Sequence, residues 1–179
     1  NPTLMNRRNF VKQTSLITGI GATTGFSFLN ALFAQDGYKM TPLRNNVGFF
    51  TEKGGTIGWM ASNNGIVVVD TQYQDSATHL IEELKKKTGR QIDLLINTHH
   101  HGDHTSGNIA FKGLAKQVVA HENSKANQER TARNPESTLL PDTTYKSGKW
   151  SKKVGDETMA LHYFGAGHTV MIFKEIVKI

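Results

Sequence analysis

From residue 47 onward, short apolar runs alternate with polar breaks. Val47 to Phe50 reads as a short strand, Glu52 to Gly55 as a turn, and Thr56 to Met60 as a second strand. Asn63-Asn64-Gly65 forms another turn signal. Ile66 to Val69 follows, four β-branched residues that predict a buried strand ending at Asp70. Ala77, Leu80, Ile81 and Leu84 fall at i, i+3, i+4 and i+7, the spacing of one helix face. Asp75 is the expected N-cap of that helix and Gly89 its expected stop. Ile92 to Ile96 predicts another buried strand, running directly into Asn97-Thr98-His99. Gln117 to Ala120 reads as a strand, Glu122 to Arg130 as a polar surface helix and Asn134 to Pro141 as loop. Thr158 to Phe164 alternates loosely and predicts a strand that enters Gly165-Ala166-Gly167-His168. Strands alternating with helices predict an α/β arrangement with helices covering the sheets.

The N-terminal segment reads as an address. Arg7-Arg8-Asn9-Phe10-Val11-Lys12 resembles the twin-arginine export signal of bacteria. Gln13 to Phe33 is uncharged, weakly apolar and rich in Gly, Ser and Thr, like the central region of a secretory signal. Residues 1–34 are therefore expected to direct export to the periplasm or beyond. Residues 35–179 are expected to form one partial domain, without stable membrane insertion once the signal is removed. The chain has 179 residues and a net charge of +6. Three of its 21 basic residues sit in the signal, which leaves an excess of three over the 15 acidic ones. Lys85-Lys86-Lys87 closes the predicted helix, where cations suit the helix dipole, and no basic run is interleaved with aromatics. A nucleic-acid partner is not expected. Cys is absent, which excludes disulfides, thiolate metal ligands and a Cys nucleophile.

The chemistry concentrates in Thr98-His99-His100-His101-Gly102-Asp103-His104, which holds four of the eight histidines. In extended backbone His99 and His101 point the same way, so both rings can reach one ion. Gly102 is expected to permit a sharp turn that returns Asp103 and His104 beside them. Imidazole and carboxylate donors together are a zinc-type ligand set, and one with an open position suits catalysis.

His-x-His-x-Asp-His after a hydrophobic strand resembles the metallo-β-lactamase superfamily. Three other places agree: Ile66 to Asp70, Thr105-Ser106-Gly107-Asn108, and Gly165-Ala166-Gly167-His168-Thr169. Together the resemblance covers residues 45 to 169. It implies an αββα sandwich, of which this chain carries the N-terminal half and the start of the second. It also implies two zinc ions. His99, His101 and His168 would hold the first, and Asp103 and His104 the second. Asp103 would also orient the attacking hydroxide, and Asp70 would support the ligand loop without ligating. His100 and Gly102 would be spacers. The implied activity is metal-dependent hydrolysis of a carbonyl or ester bond in a small-molecule substrate, β-lactams among them.

After Thr169 the chain runs ten more residues, without the family's later bridging acid or last zinc His. The second metal site is thus expected to be incomplete, and the coding sequence truncated or frameshifted after His168. A half sandwich would expose apolar strand faces. A non-catalytic metal-binding fragment, or an iron-dependent redox relative on the same fold, are the alternative readings. Of the remaining histidines, His79 is expected on the helix surface, His121 in a loop and His162 packed on a strand.

Overall fold

The computed structural model describes residues 37–146, 148–166 and 170–177. The predicted export segment and His168 lie outside the described residues. The order of elements opens with β1 (Lys39–Arg44), β2 (Val47–Glu52), β3 (Gly55–Ala61), β4 (Ile66–Val69) and α1 (Gln74–Lys87). Next come β5 (Leu94–Asn97), the single helical turn α2 (Gly102–Thr105) and a 3₁₀ turn (Asn108–Phe111). β6 (Val118–His121), α3 (Glu122–Thr131), a second 3₁₀ turn (Pro135–Ser137) and β7 (Thr143–Tyr145) follow. β8 (Lys149–Val154), β9 (Glu157–Ala166) and β10 (Val170–Val177) complete it.

β1 to β7 form one mixed sheet in sequence order. β1 to β4 are an antiparallel meander, and β4 to β7 run parallel. β8, β9 and β10 form a separate antiparallel sheet. The strand period of two explains why the runs at 66–69 and 94–96 are apolar throughout. Ile66, Val68 and Leu95 pack with Ala77, Leu80, Ile81 and Leu84 of α1. Val67, Leu94, Ile96 and Val119 face the other way, against Val154, Met159 and Leu161 of the small sheet. The large sheet is therefore buried between a helix layer and a second sheet, three layers of the expected sandwich. Among the described residues the exposed large apolar side chains are Leu43, Tyr73 and, on the small sheet, Phe164.

Several local expectations change. β1 lacks a clear pattern because it is an edge strand with Pro42 and an irregular register beside it. Asp75 does not cap α1. Tyr73 occupies the N-cap without a side-chain bond, and Asp75 sits in the first turn, where it pairs with Lys53. α1 stops at Thr88, one residue before Gly89. Lys53 and Gly54, both at positive φ, make the β2–β3 hairpin tip. His79 lies on α1 as expected, and it ties Glu52 of that hairpin to the helix through contacts of 3.1 Å. Trp59 is core, 2% exposed.

Asp93 joins two strands by accepting from the backbone N–H of Ile66 at 3.0 Å and from Lys116 Nζ at 2.5 Å. Burial pushes its carboxyl up, but Lys116 and the Ile66 amide outweigh that and hold it below the usual range. A depressed carboxylate contributes stability above its unfolded pKa, and loses it as pH falls through the lower folded value. Asp93→Asn is expected to cost about 1 kcal/mol at neutral pH. It should also flatten the acid limb of stability below about pH 4. Urea midpoints at pH 7 and pH 3 check this; equal losses at both would sink it.

Candidate metal centre

Because β4 to β7 run parallel, their carboxyl ends share one edge of the sheet, the usual place for a site in such sheets. Asp70 ends β4, the segment beginning Asn97-Thr98-His99 ends β5, and His121 ends β6. Asp70 takes a left-handed backbone with φ 63°, which Asp tolerates better than most residues. Its N–H donates to Ile96 O at 2.8 Å, and its side chain is turned onto the histidine loop. Oδ1 accepts from Thr98 N at 2.8 Å; Oδ2 accepts from Thr98 Oγ1 at 2.7 Å and from His104 Nδ1 at 2.9 Å.

The histidine loop is not the extended strand that its spacing suggests. β5 ends at Asn97, residues 98–100 bend, and His101 is the N-cap of α2. Gly102 is helical and needs no positive φ, so the chain returns through a helical turn instead of a glycine kink. The turn still gathers the rings. His99 and His104 have centroids 3.9 Å apart, and His99 and His101 4.8 Å apart. His104 Nε2 stands 3.5 Å from Asp103 Oδ2. His104 is held above the usual imidazole value, chiefly by its bond to Asp70. His99 is pushed down to about 4 by burial and by the neighbouring His104 and His101 rings. It is thus neutral at pH 7 and has a lone pair to offer.

The donor chemistry suits zinc. Asp70 accepts a hydrogen bond from His104 Nδ1, which leaves Nε2, beside the Asp103 carboxylate, as the nitrogen that can turn to a metal. Among the described residues, however, no three His, Asp or Glu side chains stand together as a ready ligating group. Among the described residues the pairs are formed and a full set is not.

His100, expected only as a spacer, has a buried Nδ1 with no partner and is pushed below the usual value by burial, His101 and Arg130. With His101 it lines a cleft of about 570 Å³ that also touches Thr105, Gln128, Arg133 and Leu139. His121 is not a loop residue. It is 1% exposed, and its ring caps α3 by accepting from Asn123 N at 3.2 Å while Nε2 bonds Lys146 O at 2.8 Å. Both nitrogens are used, so none is left for a metal. His162 lies on β9, stacked with Phe164.

One part of the centre escapes sequence reasoning. Asn97 and Asn108 exchange amide bonds of 2.9 and 2.8 Å, clamping the two ends of the histidine loop. Thr71 Oγ1 donates to Asn108 Oδ1 at 3.0 Å, and Asn108 Nδ2 donates to Leu139 O at 3.1 Å. These amides are buried. The local signals are a polar residue ending the apolar run Leu94-Leu95-Ile96 and the family-like stretch Thr105-Ser106-Gly107-Asn108, and neither shows that the two amides pair.

Comparison with known proteins identifies relatives of this fold. The metallo-beta-lactamase type 2 of Elizabethkingia meningoseptica is 26% identical over 118 residues, which is 62% of this chain and 43% of that protein. The chain therefore matches less than half the length of that relative. A metallo-beta-lactamase from Pontibacter korlensis superposes with a TM-score of 0.64 at 18% identity, over 78% of this chain and 67% of that one. A subclass B3 metallo-beta-lactamase of Bradyrhizobium japonicum does so at 0.61 with 27% identity, over 78% and 57%. The family model of the metallo-beta-lactamase superfamily matches residues 51–169, from the β2–β3 hairpin through the histidine loop to the segment containing His168. With the layered sheets and the His-x-His-x-Asp-His loop at their carboxyl edge, that match makes this chain a member of the metallo-beta-lactamase superfamily.

Proposed function

We propose that this chain carries the metal-ligating part of a zinc-dependent hydrolase that opens a carbonyl or ester bond in a small molecule, β-lactams included. One observation carries the reading: Asp70 accepts a hydrogen bond from His104 Nδ1 and so leaves Nε2, 3.5 Å from Asp103 Oδ2, as the nitrogen of that ring to meet a metal. His99, His101 and His168 are the residues proposed for one ion, and Asp103 and His104 for the other. Zinc, when bound, supplies a nucleophile near neutral pH by lowering the pKa of water to about 7. The chain's own groups do the rest. Asp103, whose side chain is 58% exposed, accepts a hydrogen bond from the attacking water. Neutral His99 keeps its lone pair available at pH 7. Asp70 holds the loop in register, and the cleft beside His100 and His101 gives a substrate room.

Elemental analysis after zinc loading is expected to find bound zinc. Turnover of a chromogenic β-lactam or an aryl ester should disappear with a chelator and return with zinc. Activity unchanged by chelation would overturn the metal mechanism. Iron in place of zinc would favour the redox relative. Little metal and no turnover would identify a non-catalytic fragment.

A further inference from the structure

We infer that Thr98 is a positioning residue through which Asp70 sets the tautomer of His99, so that one carboxylate acts on two neighbouring imidazoles. The role rests on the zinc reading for its purpose, but its geometry stands without it. Asp70 grips Thr98 at two points, Oδ1 on the backbone N–H at 2.8 Å and Oδ2 on the hydroxyl at 2.7 Å. A carboxylate has no proton to give, and a threonine hydroxyl has one. That proton is therefore spent on Asp70. The same hydroxyl oxygen lies 3.0 Å from His99 Nδ1. With its proton committed it can only accept, so His99 must carry its own proton on Nδ1.

The consequence is directional. A neutral imidazole protonated on Nδ1 has its lone pair on Nε2, at the opposite edge of the ring. That edge points away from Thr98. Asp70 Oδ2 likewise keeps a proton on Nδ1 of His104 by direct contact, and the two ring centroids stand 3.9 Å apart. Free neutral imidazole side chains favour the other tautomer, with the proton on Nε2. Thr98 thus selects the less common form, and this gives a readout that general loosening of the loop would not produce.

The test is long-range ¹H–¹⁵N correlation of the histidine rings in the metal-free full chain at pH 7.5, on wild type, Thr98→Ser and Thr98→Val. Wild type and Thr98→Ser, which keeps the hydroxyl, are expected to show His99 protonated on Nδ1. Thr98→Val should move His99 to the Nε2–H form and leave His104 as it was. His99 on Nε2–H in wild type, or on Nδ1–H in Thr98→Val, would overturn the relay. Zinc affinity, measured separately, should fall roughly 10-fold in Thr98→Val and be restored in Thr98→Ser. A wild-type chain that binds no zinc would overturn the proposed function, while the tautomer pattern alone decides the relay.

Discussion

Asp70→Asn is expected to weaken zinc binding 10- to 100-fold while leaving the chain folded. Asn has the same shape and tolerates the left-handed backbone at this position, so the turn after β4 survives. The change is in proton bookkeeping alone. If the amide oxygen keeps the Thr98 N–H, the amide nitrogen faces Thr98 Oγ1 and His104 Nδ1, which now meet a donor in place of an acceptor. His104 relieves the clash by giving up its Nδ1 proton and keeping one on Nε2, the nitrogen beside Asp103, where it blocks the lone pair a metal needs. Asp70→Ala should do more damage. It strands a backbone N–H, a hydroxyl and a ring nitrogen together, and it removes the polar side chain by which Asp tolerates the left-handed φ of 63°, for a loss of about 3 kcal/mol or more. Competition against a chelating dye and urea unfolding of the metal-free chain read the two effects separately. Undiminished zinc affinity in Asp70→Asn would show that the carboxylate does not govern His104.

Gly107→Ala should destabilise the chain by about 3 kcal/mol, at the top of the range for overpacking. Its φ of −81° is ordinary, so conformational freedom is not the reason for glycine here. Space is. An added Cβ would lie 2.4 Å from Thr71 O, 2.8 Å from Tyr73 O and 2.9 Å from Ala77 Cβ. Two of these neighbours are backbone and the third is on the buried face of α1, so none can swing aside. The N–H of Gly107 also donates to Gln72 O at 2.7 Å, and that bond holds the end of the histidine loop against the segment after Asp70. Gly113→Ala is the control. It has nothing within 4 Å and only the cost of φ +75°, about 1 kcal/mol. If the two variants unfold at the same urea concentration, the close approach at Gly107 is not tight.

Much of the fold is legible in local pattern. The strand at Ile66–Val69 matches its prediction to the residue, because four consecutive β-branched residues, three of them buried and Val69 partly so, pack on both faces of the sheet. The face of α1 is equally clear, since Ala77, Leu80, Ile81 and Leu84 are all buried. Its ends are less so, because Tyr73 and Thr88 stand where Asp75 and Gly89 carry the stronger propensities. β1 was invisible, as an edge strand needs little apolar patterning. His121 shows the limit at the level of a side chain. Nothing beside it reveals that Lys146, 25 residues on, takes its second nitrogen.

By itself the sequence determined the family motif, the donor types and the strand–helix order, since these depend on residue identity and on periods of two and 3.6. Tertiary structure alone decided which nitrogen of His99 and of His104 is tied back toward Asp70. That choice is made by Asp70, 28 residues before Thr98 and 34 before His104, through bonds that exist only once β4 and β5 lie side by side. It also decided that Asn97 and Asn108 close the loop and that Gly107 has no room for a methyl group. Hydrogen-bond partners and free volume are properties of packed neighbours, and packed neighbours here are distant in sequence.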